Sequence, residues 1–499
     1  MAQLQFHKVN ESVLRVSSSD SGILMELAEH FTFMAEGYKF VPSYRNKMWD
    51  GRIRLYNIKT STLPYGLLFD ALKFAKSRDY SVGLDHEIVS RVAPSADELK
   101  TFAASLKITN GASTISPRDY QLDAYCHACT EGRSLIISPT GSGKSLIIYL
   151  TVRWFLEHHD EKVLIVVPTT SLVEQMTKDF ADYSSQDDSF NAEEEIHKIY
   201  SGKEKNNFDS RIVITTWQSA ITCPTPWFRE YGMVMGDEAH LFKAKSLNTI
   251  MAACVNASYR IGTTGTLDGS QCNERVLIGN FGPVHKVIST KELIDNDTLA
   301  DLKVKCIVLN HTDELKKSVS KMDYKGEIDT LVSLQSRNNF IAKLAADQTG
   351  NTLVLFNYVE KHGKPLHALI RSLCDDSRQV FYVSGEVNAT DRENIREITE
   401  QEKNAIIVAS TGTFSTGINI KNLHQIIFAS PTKSQIRVLQ SIGRGLRKSD
   451  NGNRTTVYDI SDNFSWKKKK NYTMTHAIER IKIYAKEQFD YKIYEINLQ

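Results

Sequence analysis

Short blocks of Val, Ile and Leu recur along the chain, each followed by a stretch with helical spacing. The first series is RSLIIS (133–138), KVLIVVP (162–168), RIVITT (211–216), YGMVMGDE (231–238) and YRIGTTG (259–265). The second is NTLVLFN (351–357), RQVFYVSG (378–385), NAIIVAS (404–410) and HQIIFAS (424–430). A strand that is apolar throughout, rather than alternately, is covered on both faces, as in a parallel sheet flanked by helices. Two consecutive α/β domains are therefore expected. Residues 1–100 lack this rhythm and are predicted to form a small separate α+β domain.

Length agrees, since 499 residues exceed one core and suggest about three domains. The expected division is 1–100, 101–290 and 291–465, followed by a basic, helical extension at 466–499. That extension carries lysines at 467–470, then apolar residues at 478, 481 and 485 with helical spacing. A solvated charge run is the favoured reading of the lysines; an added nucleic-acid contact is the alternative. The acidic stretch 182–195 is read as a solvated loop. The formal net charge of +2 means that any nucleic-acid surface must be local.

MAQLQFHKVNESVLRV has no signal pattern, and no run of about 18 apolar residues occurs, so a cytoplasmic protein without membrane contact is expected. Seven scattered cysteines, an odd number, fit a reducing compartment. Cys126 and Cys129 have metal-like spacing, but no second pair accompanies them; helix residues beside a core are the favoured reading.

SPTGSGKS (138–145) follows one apolar block and precedes the helical pattern KSLIIYLTVRWFLEHH. Strand, Gly-rich loop and helix in this order form a phosphate-binding loop. Gly141 and Gly143 let the backbone curl, so that Pro139, Thr140, Gly141, Ser142, Gly143, Lys144 and Ser145 wrap a nucleotide's phosphates. Lys144 would reach the β- and γ-phosphates, and the Ser145 hydroxyl would ligate Mg²⁺. Ser138 stands where the common pattern has Gly, but only a small residue is needed there. GDEAH (236–240) closes the block YGMVM, so Asp237 and Glu238 stand at the carboxyl end of a strand, where open α/β sheets bind ligands. Asp237 suits Mg²⁺, mostly through water; Glu238 suits orientation and deprotonation of an attacking water.

These motifs together resemble those of superfamily-two helicases and translocases of the DEAD/DEAH type. PRDYQ (117–121) resembles the segment that greets adenine, PTTSLVEQ (168–175) motif Ia, and TTWQS (215–219) motif Ib. TTGT (263–266) stands where many members have an Ala in place of Gly265. STGTFSTGINI (410–420) resembles motif V and QSIGRGLR (440–447) motif VI. The resemblance implies two tandem RecA-like parallel-sheet motor domains that use ATP and Mg²⁺. It implies Gln121 at the adenine, Gly417 near the nucleotide, and Thr169, Thr216 and Thr411 on the nucleic-acid backbone. Gln440, Arg444 and Arg447 would face the γ-phosphate, joining Lys144, Asp237 and Glu238 in catalysis.

YKFVPSYRNKMWDGRIRLYN (38–57) sets Lys39, Arg45, Lys47, Arg52 and Arg54 against Asp50, with Tyr38, Phe40, Tyr44, Trp49 and Tyr56 interleaved. Cations supply phosphate contacts and aromatics stack on bases. A compact β-rich domain with aromatic core and solvated arginines fits equally well, and the two readings are compatible. WDGRIRL, PTT, TTWQ, VSGEV (383–387) and FSTGI (414–418) further resemble the recombination helicases of T-even-type bacteriophages. That likeness implies branch migration of Holliday-type junctions, fork regression and removal of RNA from R-loops. Implied partners are branched double-stranded DNA and R-loops, with single-stranded DNA and a single-strand-binding protein as further candidates; a monomer is expected. An RNA helicase, a restriction-system motor and a non-enzymatic annealing module with a vestigial ATP fold are the rivals. Lys144, Ser145, Asp237, Glu238, Arg444 and Arg447 are all present, which argues against the last.

Overall fold

The computed structural model describes residues 3–111, 113–200, 210–386, 394–395, 398–399, 401–417, 423–432, 434–446 and 454–498. At 415–417, 435–437 and 444–445 the description is confined to the main chain. The chain divides into two compact units. Met1–Ser138 and Ser142–Val287 form one; Pro139–Gly141 and Ile288–Gln499 form the other.

The first unit opens with a four-stranded sheet of β1 (Leu4–Lys8), β2 (Val13–Ser17), β5 (Thr62–Pro64) and β6 (Val82–Leu84), in the order β5-β2-β1-β6. Only one face is covered. Leu4, Phe6, Leu14 and Val16 point into a core with Ile23, Leu27 and Phe74 from helices Ser21–His30 and Leu68–Ser77, while Arg15 faces solvent. Between these strands a two-stranded antiparallel ribbon, β3 (Thr32–Met34) and β4 (Arg52–Arg54), pairs Met34 with Arg52.

This small sheet is joined to the motor part of its unit by buried polar contacts. The Arg260 guanidinium donates to the carbonyls of Asn280, Cys254 and Met251 and to Ser12 Oγ, at 2.6–3.1 Å. Its Nη1 is thereby shared between the two parts of the unit. Arg133 donates to the Glu11 carboxylate, and Arg275 pairs with Asp70. Gly66 packs so closely on helix Gln271–Phe281 that a methyl there would strike the Ile278 carbonyl. Helix Ala96–Ser105, started by a Ser95/Glu98 capping box, buries Leu99 and Ala103 in the motor core. A short hairpin, β7 (Thr109–Asn110) and β8 (Ser113–Thr114), follows it.

The motor sheet of the first unit contains β9 (Arg133–Ile137), β10 (Lys162–Val167), β11 (Ile196–Ile199), β12 (Ile212–Thr216), β13 (Tyr231–Asp237), β14 (Tyr259–Thr264) and β15 (Val284–Lys286). All pairings are parallel, in the order β11-β12-β10-β13-β14-β9-β15. The second unit has β16 (Leu302–Asn310), β17 (Thr352–Phe356), β18 (Val380–Val383), β19 (Ile406–Ser410), β20 (Gln425–Phe428), β21 (Thr455–Asn463) and β22 (Asp490–Asn497). Its order is β18-β19-β17-β20-β21-β16-β22, again parallel throughout. Counted from the first strand of each sheet, both run third, fourth, second, fifth, sixth, first, seventh. The chain is thus α/β with two tandem RecA-like domains, and helices cover both faces of each sheet.

Two details differ from the sequence reading. The last residues do more than form a helix (Tyr472–Lys486), because β22 then pairs along β16. The acidic stretch is not wholly solvated. Asp187 accepts a 2.7 Å hydrogen bond from the buried Arg153, and Phe190 enters the core. Cys126 and Cys129 lie buried within helix Asp119–Glu131, and burial pushes the Cys129 thiol well up, so it is inert. Among the described residues no helix is long and apolar enough to cross a membrane.

Candidate active site

β9 ends at Ile137 and helix Lys144–His158 begins six residues after Ser138. Gly141 (φ +86°) and Gly143 (φ +81°) are left-handed, a conformation other residues adopt only under strain. A side chain at Gly143 would also strike the Gln121 amide. No side chain caps the helix at Gly143 among the described residues, so its first N–H groups and its dipole address the loop.

The loop is braced from helix Asp119–Glu131. Gln121 Nε2 and Tyr120 OH both donate to the Ser142 carbonyl, at 2.8 and 2.9 Å. Gln121 Oε1 accepts from the Arg118 N–H at 2.9 Å. Both ends of the Gln121 amide therefore serve the loop and its own helix start. Ser138, the departure from the common pattern, is useful here: its hydroxyl lies 2.6 Å from that of Ser142, both fully buried. Lys144 Nζ donates to the Ser138 carbonyl at 3.2 Å, and the Ser145 hydroxyl lies 3.0 Å from that of Tyr183.

The register of β13 beside β14 sets Asp237 against Thr263. Thr263 Oγ1 donates to Asp237 Oδ1 at 2.8 Å. Burial, and then the neighbouring Glu238 carboxylate, push the Asp237 carboxyl up, against the pull of Lys144 and the Thr263 hydroxyl. Glu238 is itself left-handed (φ +51°), a strained backbone of the kind that gathers at functional sites. His240 Nδ1 lies 3.3 Å from the Glu238 carboxylate and 3.1 Å from Thr264 Oγ1. TTGT is thus wired to both acids of GDEAH, through Thr263 to Asp237 and through Thr264 and His240 to Glu238.

Thr169, Thr216 and Thr411 stand where β10, β12 and β19 meet their following helices. Their hydroxyls are engaged internally: Thr169 caps Leu172 N–H, Thr216 donates to Ser219, and Thr411 donates to the Phe356 carbonyl. The Thr169 hydroxyl accepts here, whereas those of Thr216 and Thr411 donate within the chain.

In the N-terminal sheet domain, Lys39, Arg45, Arg52 and Arg54 are all exposed. Arg54 pairs with Asp50, whose carboxyl is drawn down to about 2 by that hydrogen bond and the Arg52 N–H. The aromatic residues divide. Tyr56 is core, Tyr38 and Tyr44 pack edge to face at 4.8 Å, Trp49 donates to the Arg52 carbonyl, and Phe40 is exposed. In the second unit Gln440 is half-buried on helix Gln435–Gly445, and Gly417 ends helix Thr411–Gly417. The Arg444 side chain and the whole of Arg447 lie outside the described residues, as do parts of VSGEV and FSTGI.

Tyr120, His240 and Thr263 lie inside motifs that the sequence shows, but it does not show their particular roles, and Tyr183 carries no mark at all. Each role becomes visible only once neighbouring strands and helices are in register.

Residues 3–85 match the family described as DNA helicase UvsW, N-terminal; residues 114–269 match the type III restriction enzyme res subunit; residues 335–449 match the helicase conserved C-terminal domain. The ATP-dependent DNA helicase uvsW of Enterobacteria phage T4 is 37% identical over 511 residues, covering 99% of this chain and all of that one. The crystal structure of T4 UvsW aligns over 100% of both chains at 36% identity, with a TM-score of 0.53. The DNA 3'-5' translocase XPB2 of Sulfurisphaera tokodaii is 25% identical over 67% of this chain and 80% of its own. Identity of that depth along the whole length, added to two tandem RecA-like sheets of one strand order, establishes that the chain belongs to the UvsW family of ATP-dependent DNA helicases.

Proposed function

We propose that this helicase remodels branched DNA: it migrates Holliday-type junctions, regresses forks and displaces RNA from R-loops by stepping along one strand as ATP is hydrolysed. The observation that carries the ATP half is the buried Asp237 carboxylate, pushed up and paired with no arginine in the described structure, beside Lys144 and a loop curled by two left-handed glycines. Such a carboxylate is costly to hold charged unless a cation joins it.

Asp237 and the Ser145 hydroxyl fit Mg²⁺, an oxygen-seeking ion usually held by one or two protein groups plus phosphates and water. When bound, the ion would neutralise charge developing on the phosphates. The Ser145 hydroxyl can donate its proton to Tyr183 and still offer the ion an oxygen lone pair. Lys144 would exchange the Ser138 carbonyl for phosphate oxygen. Pro139, Thr140, Gly141, Ser142 and Gly143 shape the cradle, Gln121 holds it and greets the base, and Gly417 lies by the nucleotide. Glu238, aimed by its left-handed backbone and His240, orients the attacking water and takes its proton. To Gln440, Arg444 and Arg447 we assign stabilisation of charge on the transferred phosphoryl group.

The DNA half is supported by the family and by the exposed cations of the N-terminal domain. Contacts from Thr169, Thr216, Thr411, Lys39, Arg45, Arg52 and Arg54 would be to phosphates and so independent of sequence, weakening steeply with salt. The functional division is proposed along 1–100, 101–290, 291–465 and 466–499, with helix Ala96–Ser105 packing into the first motor core and β22 completing the second motor sheet. ATP turnover and strand displacement should be compared on a Holliday junction, a fork, an R-loop, single-stranded DNA and RNA. Turnover should rise most with the branched DNAs. Equal stimulation by RNA would overturn the branched-DNA reading.

A further inference from the structure

Residues 35–50 leave the N-terminal sheet domain between Met34 and Arg52, the last pair of the β3–β4 ribbon. Among these residues, all described, none is buried. The excursion adds nothing to the core, yet it has a defined shape. Ala35 N–H closes on the Gly51 carbonyl at 2.8 Å, short turns at Tyr38–Phe40 and Pro42–Arg45 follow, and Met48 and Trp49 both return to the Ser43 carbonyl. Tyr38 and Tyr44 pack on each other, and the Tyr38 ring lies so close to Gly51 that a methyl there would meet it at 2.7 Å. Gly51 has φ +78°, so glycine is required twice over.

This framework displays two large apolar side chains. Phe40 is 77% and Met48 81% exposed. Single exposed hydrophobics are ordinary on a surface. Two on one rigid excursion, interleaved with Lys39, Arg45 and Lys47, are not explained by folding. Asp50, one of the excursion's two acids, is tied to Arg54, while Glu36 faces Asn273 of the motor part. The excursion therefore exposes two apolar side chains and three cations. That charge selects a polyanion, and the apolar pair selects the one face of a polyanion that is flat and uncharged, a base pair laid open at a branch.

We propose that this excursion parts strands: Phe40 and Met48 pack against the last base pair of a branch, while Lys39, Arg45 and Lys47 hold the phosphates on either side. The proposal rests on the translocase reading above. It gains force from the seam formed by Arg260, Gly66 and Arg275, which makes the N-terminal sheet one unit with the ATP-binding sheet. A tip fixed to the motor is an obstacle against which a pulled duplex must open.

The test compares wild type with the double variant Phe40→Ala/Met48→Ala, and with Phe40→Leu/Met48→Leu as the conservative control. Three quantities are read: ATP turnover driven by single-stranded DNA, the rate of fork unwinding, and fluorescence of 2-aminopurine at the branch-point pair. The alanine variant should keep turnover and the salt dependence of binding, unwind about tenfold more slowly, and lose the 2-aminopurine rise; the leucine variant should unwind near the wild-type rate. Full-rate unwinding by the alanine variant overturns the tip alone. A wild-type dimer that the alanine variant abolishes would also overturn it, assigning the face to a second copy. A wild type whose turnover ignores DNA overturns the translocase reading and the tip with it.

Discussion

Asp237 and Asp462 are buried aspartates near the carboxyl ends of interior strands, one in each motor sheet. The sheets share a strand order, but they treat these carboxylates in opposite ways. Asp462 receives the single Arg337 Nε–H, shared between its two oxygens at 2.8–3.0 Å, and lies 3.0 Å from His311 Nε2. Arg337 and His311 hold its carboxyl down despite complete burial. Asp237 has the Thr263 hydroxyl, the Glu238 main-chain N–H and the pull of Lys144, yet burial and the Glu238 carboxylate push its carboxyl up. The second sheet repeats the satisfied pattern at Asp459, which Arg480 grips with Nε and Nη2 while Tyr484 donates at 2.9 Å. Its first strand, β16, leads through His311 and Thr312 into a helix without any glycine loop. Charge that the protein itself satisfies holds a structure together; charge it leaves short is available to a ligand.

The largest effect should come from breaking the unsatisfied side of this comparison. Lys144→Ala removes the cation that meets the phosphates, and turnover should fall by about 10²–10³-fold or more. Binding to DNA, and its loss with salt, should persist, because no phosphate contact with DNA is assigned to Lys144. Retained turnover in the purified variant would show that the nucleotide lies elsewhere.

Breaking the satisfied side should cost stability instead. Arg337→Ala strands a fully buried carboxylate, and removing one partner of such a pair typically costs about 3–5 kcal/mol. The second unit should melt well below the first, with any residual turnover traceable to folded protein. Calorimetry resolves this, since two units need not unfold as one. An unchanged second transition would mean that His311 alone suffices for Asp462.

The same contrast explains what could be read without coordinates. Strands β9, β10, β12, β13 and β14 are continuous apolar runs, so the first sheet was largely legible, and Lys144, Asp237 and Glu238 came with it. β16 (LKVKCIVLN) and β21 (TTVYDISDN) were not, because two lysines and two aspartates interrupt them. Those aspartates are tolerable inside a sheet because Arg337 arrives from a helix far earlier in the chain and Arg480 from the helix that follows the strand. Periodicity cannot reveal a partner 125 residues distant. β22, mostly exposed at its sheet's edge, has no buried pattern to read. The Tyr183–Ser145 and His240–Thr264 contacts were hidden for the same reason, being products of register.

A smaller loss should follow Gly66→Ala, which forces a methyl against the Ile278 carbonyl and loosens the seam. Close-packed seams typically lose about 1–3 kcal/mol to an inserted methyl. Turnover on single-stranded DNA should survive while unwinding of forks falls, because only the latter needs the N-terminal domain held fixed. Equal losses in both would place the seam in service of the ATP site itself.

The smallest effect has the opposite sign. Asp237→Asn removes a buried charge but keeps an oxygen for the Thr263 hydroxyl, so the first unit, free of nucleotide, should become more stable while turnover is lost. Because the folded carboxyl binds its proton more tightly than the unfolded one, the wild type loses stability as pH rises from the unfolded value towards the folded one. The advantage of the variant should therefore be absent at low pH, grow through that window and level off above it. At neutral pH each kcal/mol should raise the unit's melting temperature by about 2–4 °C. Asp462 runs the other way, its stabilisation present at neutral pH and lost as acid titrates the carboxylate. Adding Mg²⁺ and a non-hydrolysable ATP analogue should reverse the ranking, because bound ligand at about 100 times its Kd stabilises the folded wild type by about 2.7 kcal/mol and the variant holds the ion poorly. A variant that melts lower than wild type with no ligand present would mean that Lys144 already satisfies Asp237, and the two carboxylates would no longer differ in kind.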